Sequence, residues 1–200
     1  MHTLIDVFGY FNTSPIELIS FVLAVATVVL NIRQLHWAWL FAILSSATYG
    51  IVFYNAKLYG DTGLQGVFIT VSVWGWYQWL HGGTSHQPLA VTTCSRTGWF
   101  YCVAGWAVGF VILAGFLDHY TDTDVPKIDA FLTAGSLVGQ FLLSRKKVEN
   151  WIVWIIVDIL YVGLYVYKGL MLTAVLYALF IVLAGIGLVV WQRDAASKQT

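Results

Sequence analysis

Long apolar runs and short polar breaks alternate along this chain, and the breaks come at fairly even intervals. They are RQLH from Arg33, NAKLYGD from Asn55, HGGTSHQPLAVTTCSR from His81, DHYTDTDVPKID from Asp118, RKKVEN from Arg145, and the Lys168-Gly169 pair. A bilayer core about 30 Å thick takes roughly 20 helical residues to cross. On that measure the runs predict seven membrane helices, over residues 15–31, 37–54, 61–80, 97–117, 127–144, 150–167 and 170–191. Pro15 suits the first position of the first helix, where its missing N–H is no loss.

Within the runs, polar residues recur at helical spacing. The clearest case follows the basic turn at Arg145. Asn150, Trp154, Asp158, Tyr161 and Tyr165 fall on one stripe, and Ile152, Ile155, Ile156, Ile159 and Val162 make the other face plain hydrocarbon. Such a stripe suits a polar pathway or pocket inside a bundle, because these groups would lack partners against lipid. Weaker stripes occur on the fifth helix (Thr133, Ser136, Gln140, Ser144), the third (Gln65, Ser72, Trp76, Trp79), the first (Glu17, Ser20, Thr27, Asn31) and the seventh (Thr173, Tyr177). Isolated serines and threonines on a membrane helix commonly serve helix packing. Gln140, Asn150 and Asp158 are larger and costlier to bury, so solute contact is weighed for them against a mutual hydrogen-bond network. For Asp158 the structural alternative is pairing with Tyr49, Tyr161 or a serine.

Laying Arg33 on Arg145 aligns the two halves of the chain, without a gap, as far as Trp79 on Trp191. In this register Arg33/Arg145, Trp39/Trp151, Ile43/Ile155, Tyr49/Tyr161, Leu58/Leu170, Leu64/Leu176, Phe68/Phe180, Ile69/Ile181, Gly75/Gly187 and Trp79/Trp191 are identical. Two three-helix units joined by one extra crossing enter the membrane in the same direction. The expected fold is therefore an all-α integral membrane protein with seven transmembrane helices in a 3+1+3 parallel-repeat arrangement, like that of sugar transporters of the SWEET type. Its parts are an external segment (1–14), a first repeat (15–80), a linker (81–126) that contains the fourth helix (97–117), a second repeat (127–191) and a cytoplasmic tail (192–200).

Composition agrees with a membrane protein. The chain is 59% hydrophobic and 10% charged, against about 25% charged in an average soluble domain. The N-terminus has no Lys or Arg ahead of its apolar run and does not read as a cleaved signal peptide. Arg33, Arg96, Arg145, Lys146, Lys147, Arg193 and Lys198 fall on one side, and Lys57, Lys127 and Lys168 on the other. Positive charge marks the cytoplasmic face, which puts the C-terminus inside and, with seven spans, the N-terminus outside. A net charge of zero with no long basic run argues against nucleic acid as a partner. Cys94 and Cys102 form no metal or disulfide motif, and the five histidines sit in loops and termini without a hydrolase or phosphate-loop pattern. No enzyme, cofactor or metal site is expected, and a single mid-span acid favours passive movement over a proton relay. Of the ten tryptophans, Trp37, Trp79, Trp99 and Trp191 fit the interfacial belt, whereas Trp154 sits deeper and offers a stacking surface for a flat cation. A membrane scaffold or sensor, with the stripes serving helix association only, is the competing class.

The segments LYGDTGLQ, WGWYQW and GQFLLSRKKVENWIVWIIVDILYVGLYVYKGLMLTAVLYALF resemble the PnuC family of bacterial vitamin transporters, over essentially all seven spans. The resemblance implies facilitated uptake of nicotinamide riboside across the inner membrane, with trapping by intracellular phosphorylation, in a homotrimer whose protomers each hold a pore. Related branches of the family carry thiamine or riboflavin, so uptake of thiamine or another vitamin by the same mechanism is the alternative that the resemblance leaves open. Gln140, Asn150 and Trp154, with the WYQW element that includes Trp76, match the family's substrate-site region. Together with Asp158, Tyr161, Gln65 and Tyr177 they form the candidate site.

Overall fold

The computed structural model describes residues 5–7, 11–13, 15–55, 59–83, 86–121, 125–169 and 171–197, apart from some side chains within them, that of Glu17 included. The helices are α1 (Pro15–Ile32), α2 (Ala38–Asn55), α3 (Tyr59–His81), α4 (Arg96–Tyr120), α5 (Pro126–Ser144), α6 (Asn150–Tyr167) and α7 (Met171–Ser197). All seven predicted spans are present, most within about two residues of their expected ends. Lys57, Leu58, Leu170 and Lys198, used above for charge placement or for the repeat, lie outside the described residues. A short antiparallel hairpin, β1 (Ile5–Val7) on β2 (Phe11–Thr13), precedes α1 and leaves the membrane fold itself all-α. Helix α7 runs on to Ser197 through residues expected as tail, because Gln192 to Ala196 contains no glycine or proline to stop it.

Six helices form a closed ring. Helix α2 packs on α1 and α3, α6 packs on α5 and α7, and the ring is completed by α3 against α5 and α1 against α7. Helix α4 stands outside, packed on α5, with Phe100, Tyr101, Val108, Val111, Ile112 and Phe116 exposed along it. The repeat is visible in this geometry. The register that lays Arg33 on Arg145 also lays both ends of α2 on the ends of α6, and the start of α3 on the start of α7. Gln34 and Lys146, equivalent in the same register, both take a left-handed backbone, with φ of 56° and 48°. Each sits in the tight turn from the first to the second helix of its repeat.

The repeats interlock through tryptophans. Trp39 meets Trp79 edge-on at 5.3 Å and 84°, Trp151 meets Trp191 at 5.4 Å and 88°, and Trp79 touches Trp191 at 6.0 Å between them. Trp79 Nε1 donates to the Leu143 carbonyl at 3.0 Å, and Trp191 Nε1 donates to the Asn31 and Ile32 carbonyls at 3.2 Å. Asn31 and Leu143 are themselves repeat equivalents, so each repeat ends by binding the end of the other repeat's first helix. Trp79 and Trp191 are only 2% and 0% exposed, which corrects their expected place in the interfacial belt. An N–H aimed at a helix-terminal carbonyl satisfies both groups in a dry environment, which an interfacial position would not require.

Gly75 and Gly187 make this packing possible. A Cβ at either would overlap the ring of Trp39 or Trp151 respectively. The linker after α3 is also tied in. Leu89 N–H bonds the Trp79 carbonyl, Thr92 exchanges backbone hydrogen bonds with Lys146 and Val148, and Val91 is buried against the tryptophans. Lys146 lies 4.5 Å over the Trp79 ring. Cys94, at the end of this strap, is a packing thiol; burial first, then the nearby Glu149, pushes it up to about 12. We expect Gly75→Ala and Gly187→Ala each to destabilise the protein by about 1–3 kcal/mol, since backbone and ring must both shift. Thermal melting in detergent tests this, and unchanged Tm in both variants would show that the close approach is not needed.

Candidate functional site

The ring encloses a cavity of ≈ 180 Å³. All six ring helices line it and α4 does not. Its depth follows the α6 stripe. Trp151 lies at the end marked by the basic turns, Trp154 and Asp158 in the middle, and Tyr161 and Tyr165 toward the opposite end. Trp151, Asn31, Leu143 and Ala184 belong both to the cavity wall and to the tryptophan interlock or its immediate contacts, so the interlock closes the basic end. At the other end Tyr161 stacks on Tyr165 at 5.3 Å and 11°, and both rings contact Tyr177, at 4.9 and 5.0 Å.

The walls are polar where a solute could use them. Asp158 is 2% exposed, and its Oδ1 has no hydrogen-bond partner among the described residues. The same holds for Asn31 Oδ1 and for Trp151 Nε1, both on the cavity wall. Buried polar atoms of this kind carry a free-energy penalty until something bonds them, and all three belong to residues of the cavity wall. Gln140 Nε2 reaches Ser72 Oγ at 3.4 Å, a long contact joining α5 to α3 across the repeat boundary. The indole of Trp154 rests against Gly139, where a Cβ would come within 3.1 Å of its ring. Glycine there lets the indole approach α5 closely.

Six of the eight candidate residues come together on this cavity: Gln65, Gln140, Trp154, Asp158, Tyr161 and Tyr177. Asn150 and Trp76 do not. Asn150 is the first residue of α6, one turn from Trp154 toward the basic end. It is fully buried and donates its Nδ2–H to the Lys147 carbonyl at 2.6 Å, within the α5–α6 turn. Trp76 meets Trp37 and His36, at 6.1 and 6.5 Å, because at its depth the interior is filled by Trp39 seated on Gly75. Ala42, Ser45, Ser46, Phe53 and Tyr165 line the cavity in addition to the candidates. The repeat register points to Ser46, which is the equivalent of Asp158.

The family model described as Nicotinamide mononucleotide transporter matches residues 14–193. The chain belongs to this transporter family. Among its relatives is the riboflavin/roseoflavin transporter RibM of Streptomyces davaonensis, 28% identical over 82% of this chain and 78% of that protein. The nicotinamide riboside transporter PnuC of Escherichia coli is 22% identical over 95% of this chain and 90% of its own. PnuC of Neisseria mucosa is 29% identical over 64% of this chain and 50% of that protein. The crystal structure of the vitamin B3 transporter PnuC superposes with a TM-score of 0.76, covering 91% of this chain and 82% of that one at 23% identity, and has the same fold. The family is one of multi-pass inner-membrane transporters, not enzymes. Among the described residues three helices, α4, α6 and α7, are each long and apolar enough, by length and composition, to cross a membrane.

The position of Asn150 gives a test. Asn150→Ala removes a buried hydrogen bond from the α5–α6 turn, which is expected to lower stability by about 1–3 kcal/mol while moving ligand affinity less than about threefold. Melting and calorimetry on the same preparation check this. Loss of binding at unchanged Tm would show that Asn150 contacts the ligand.

Proposed function

We propose that the protein carries nicotinamide riboside into the cell by facilitated diffusion, alternating access to the central cavity between the two membrane faces, with intracellular phosphorylation keeping the product inside. The observation that carries this reading is the Asp158 carboxyl group, buried mid-membrane with an unpartnered oxygen, in one cavity with Trp154. A buried acid beside an indole suits a flat cationic ring, since an indole face attracts a cation by about 0.5–2 kcal/mol and the acid adds a charge-assisted contact. Nicotinamide riboside presents such a pyridinium ring, and its ribose hydroxyls suit Gln140, Gln65 and the tyrosines. In the same proposal the basic end, with the C-terminus, faces the cytoplasm. Each protomer encloses a complete cavity and leaves α4 apolar on its outer flank, which accords with a homotrimer of independent pores.

The similarity to a riboflavin transporter favours a second cargo, a neutral tricyclic flavin, and the two differ in what Asp158 does. Calorimetry on purified protein is expected to show saturable micromolar binding of nicotinamide riboside, weakened about tenfold or more by Asp158→Asn and lost in Trp154→Ala. Binding of riboflavin alone, insensitive to Asp158→Asn, would move the cargo to flavin. Binding of neither, nor of thiamine, would sink the vitamin reading.

A further inference from the structure

The frame of the cavity is twofold symmetric, but its lining is not. Helices α2 and α6 stand on opposite sides of the ring, since α2 packs on α1 and α3 while α6 packs on α5 and α7. Repeat-equivalent residues therefore face each other at the same depth. At two levels the facing residues are alike and large, Tyr49 with Tyr161 and Phe68 with Phe180. Between Tyr161 and the interlock the equivalents differ: Ala42 takes the place of Trp154, and Ser46 that of Asp158, and all four line the cavity. A symmetric lining would put a second indole and a second acid into the same space. The small side chains of α2 fill less of that space than their equivalents on α6 do.

We propose that Ala42 and Ser46 are the size-selecting wall of the site: they leave the slot that receives the ligand's heterocycle against Trp154, and their bulk sets how wide a fused-ring system can enter. This rests on the vitamin reading and adds which residues choose between a single ring and a tricycle. A packed apolar wall discriminates weakly against a smaller solute but strongly against one that overlaps it. Selection by size therefore belongs to the wall facing the stacking surface, while Trp154 and Asp158 supply attraction common to several flat ligands.

The test uses the full chain in detergent, with nicotinamide riboside and riboflavin as probes against wild type, Ala42→Trp and Ala42→Gly. An indole at position 42 enters open space, so Ala42→Trp is expected to keep or raise Tm while weakening nicotinamide riboside about a hundredfold or more. Ala42→Gly is expected to raise riboflavin affinity relative to nicotinamide riboside at least about tenfold. A fall in Tm of about 4 °C or more in Ala42→Trp would show that position 42 is already packed, and would overturn the inference alone. Wild-type affinities for both probes in both variants would do the same. Wild-type protein that binds neither probe would overturn the vitamin reading and this inference with it.

Discussion

The reciprocal bonding of Trp79 and Trp191 is the constraint on which the rest of the structure depends. Each indole closes its own repeat and donates to the end of the first helix of the other, so neither three-helix unit has a complete basic end by itself. Interhelical hydrogen bonds in a membrane contribute modestly, averaging about 0.6 kcal/mol, and each aromatic pair adds about 0.5–1.5 kcal/mol. Several such contacts, made by four rings in one dry cluster, still outweigh any single side-chain contact elsewhere between the repeats. They also fix geometry. Gly75 and Gly187 are required by the rings of Trp39 and Trp151, and the turns at Gln34 and Lys146 must place the helix-terminal carbonyls where the indoles reach.

Closure at one end follows from this arrangement. Trp151, Asn31 and Leu143 serve at once as cavity wall and as interlock or its acceptor, so a solute leaving through the basic end must part the two repeats there. The interlock is not symmetric in its surroundings. On the side of the second repeat the linker strap, through Thr92 and Lys147, fastens the α5–α6 turn; on the side of the first, Gln34 bonds Asp194 on the extended α7. The extra turns of α7 thus have a structural task that hydropathy could not reveal.

Much of the fold was legible because membrane helices are delimited by what cannot sit in hydrocarbon. The breaks at Arg33, Arg145 and Lys168 mark helix ends, and the register of Arg33 on Arg145 recovers the repeat from Trp39, Gly75 and Trp79. The fate of the tryptophans was not legible. Indole serves equally at a wet interface and in a dry core with its N–H satisfied, and only the acceptor, a carbonyl in the other repeat, decides between them. The cavity lining was legible along α6 but not to its end. Asn150 and Trp154 share a helix face, yet the cavity stops between them, because Trp151 and its partners fill the interior at that level. Ser46 and Ala42 escaped notice because small residues in membrane helices are ordinarily read as packing.

Helix α4 shows what the parallel plan demands. Two three-helix units that enter the membrane in the same direction need an odd crossing between them, and that crossing has no equivalent in either repeat. Its sequence is accordingly free of the constraints on the other six. It contributes nothing to the cavity wall, packs chiefly on α5, and exposes apolar residues around most of its surface. Helices α3 and α5 are the converse: α3 lends Gln65 and Ser72, and α5 Ser136 and Gln140, to the interior, which makes them less apolar than α4, α6 and α7. The polar groups are tolerable because the ring is closed, and the ring is closed because the repeats end on each other's first helices. Polarity inside, plain hydrocarbon on the connecting helix and the crossed tryptophans are therefore one solution to one problem, which is holding a polar cavity between two units of a single chain in a solvent that bonds nothing.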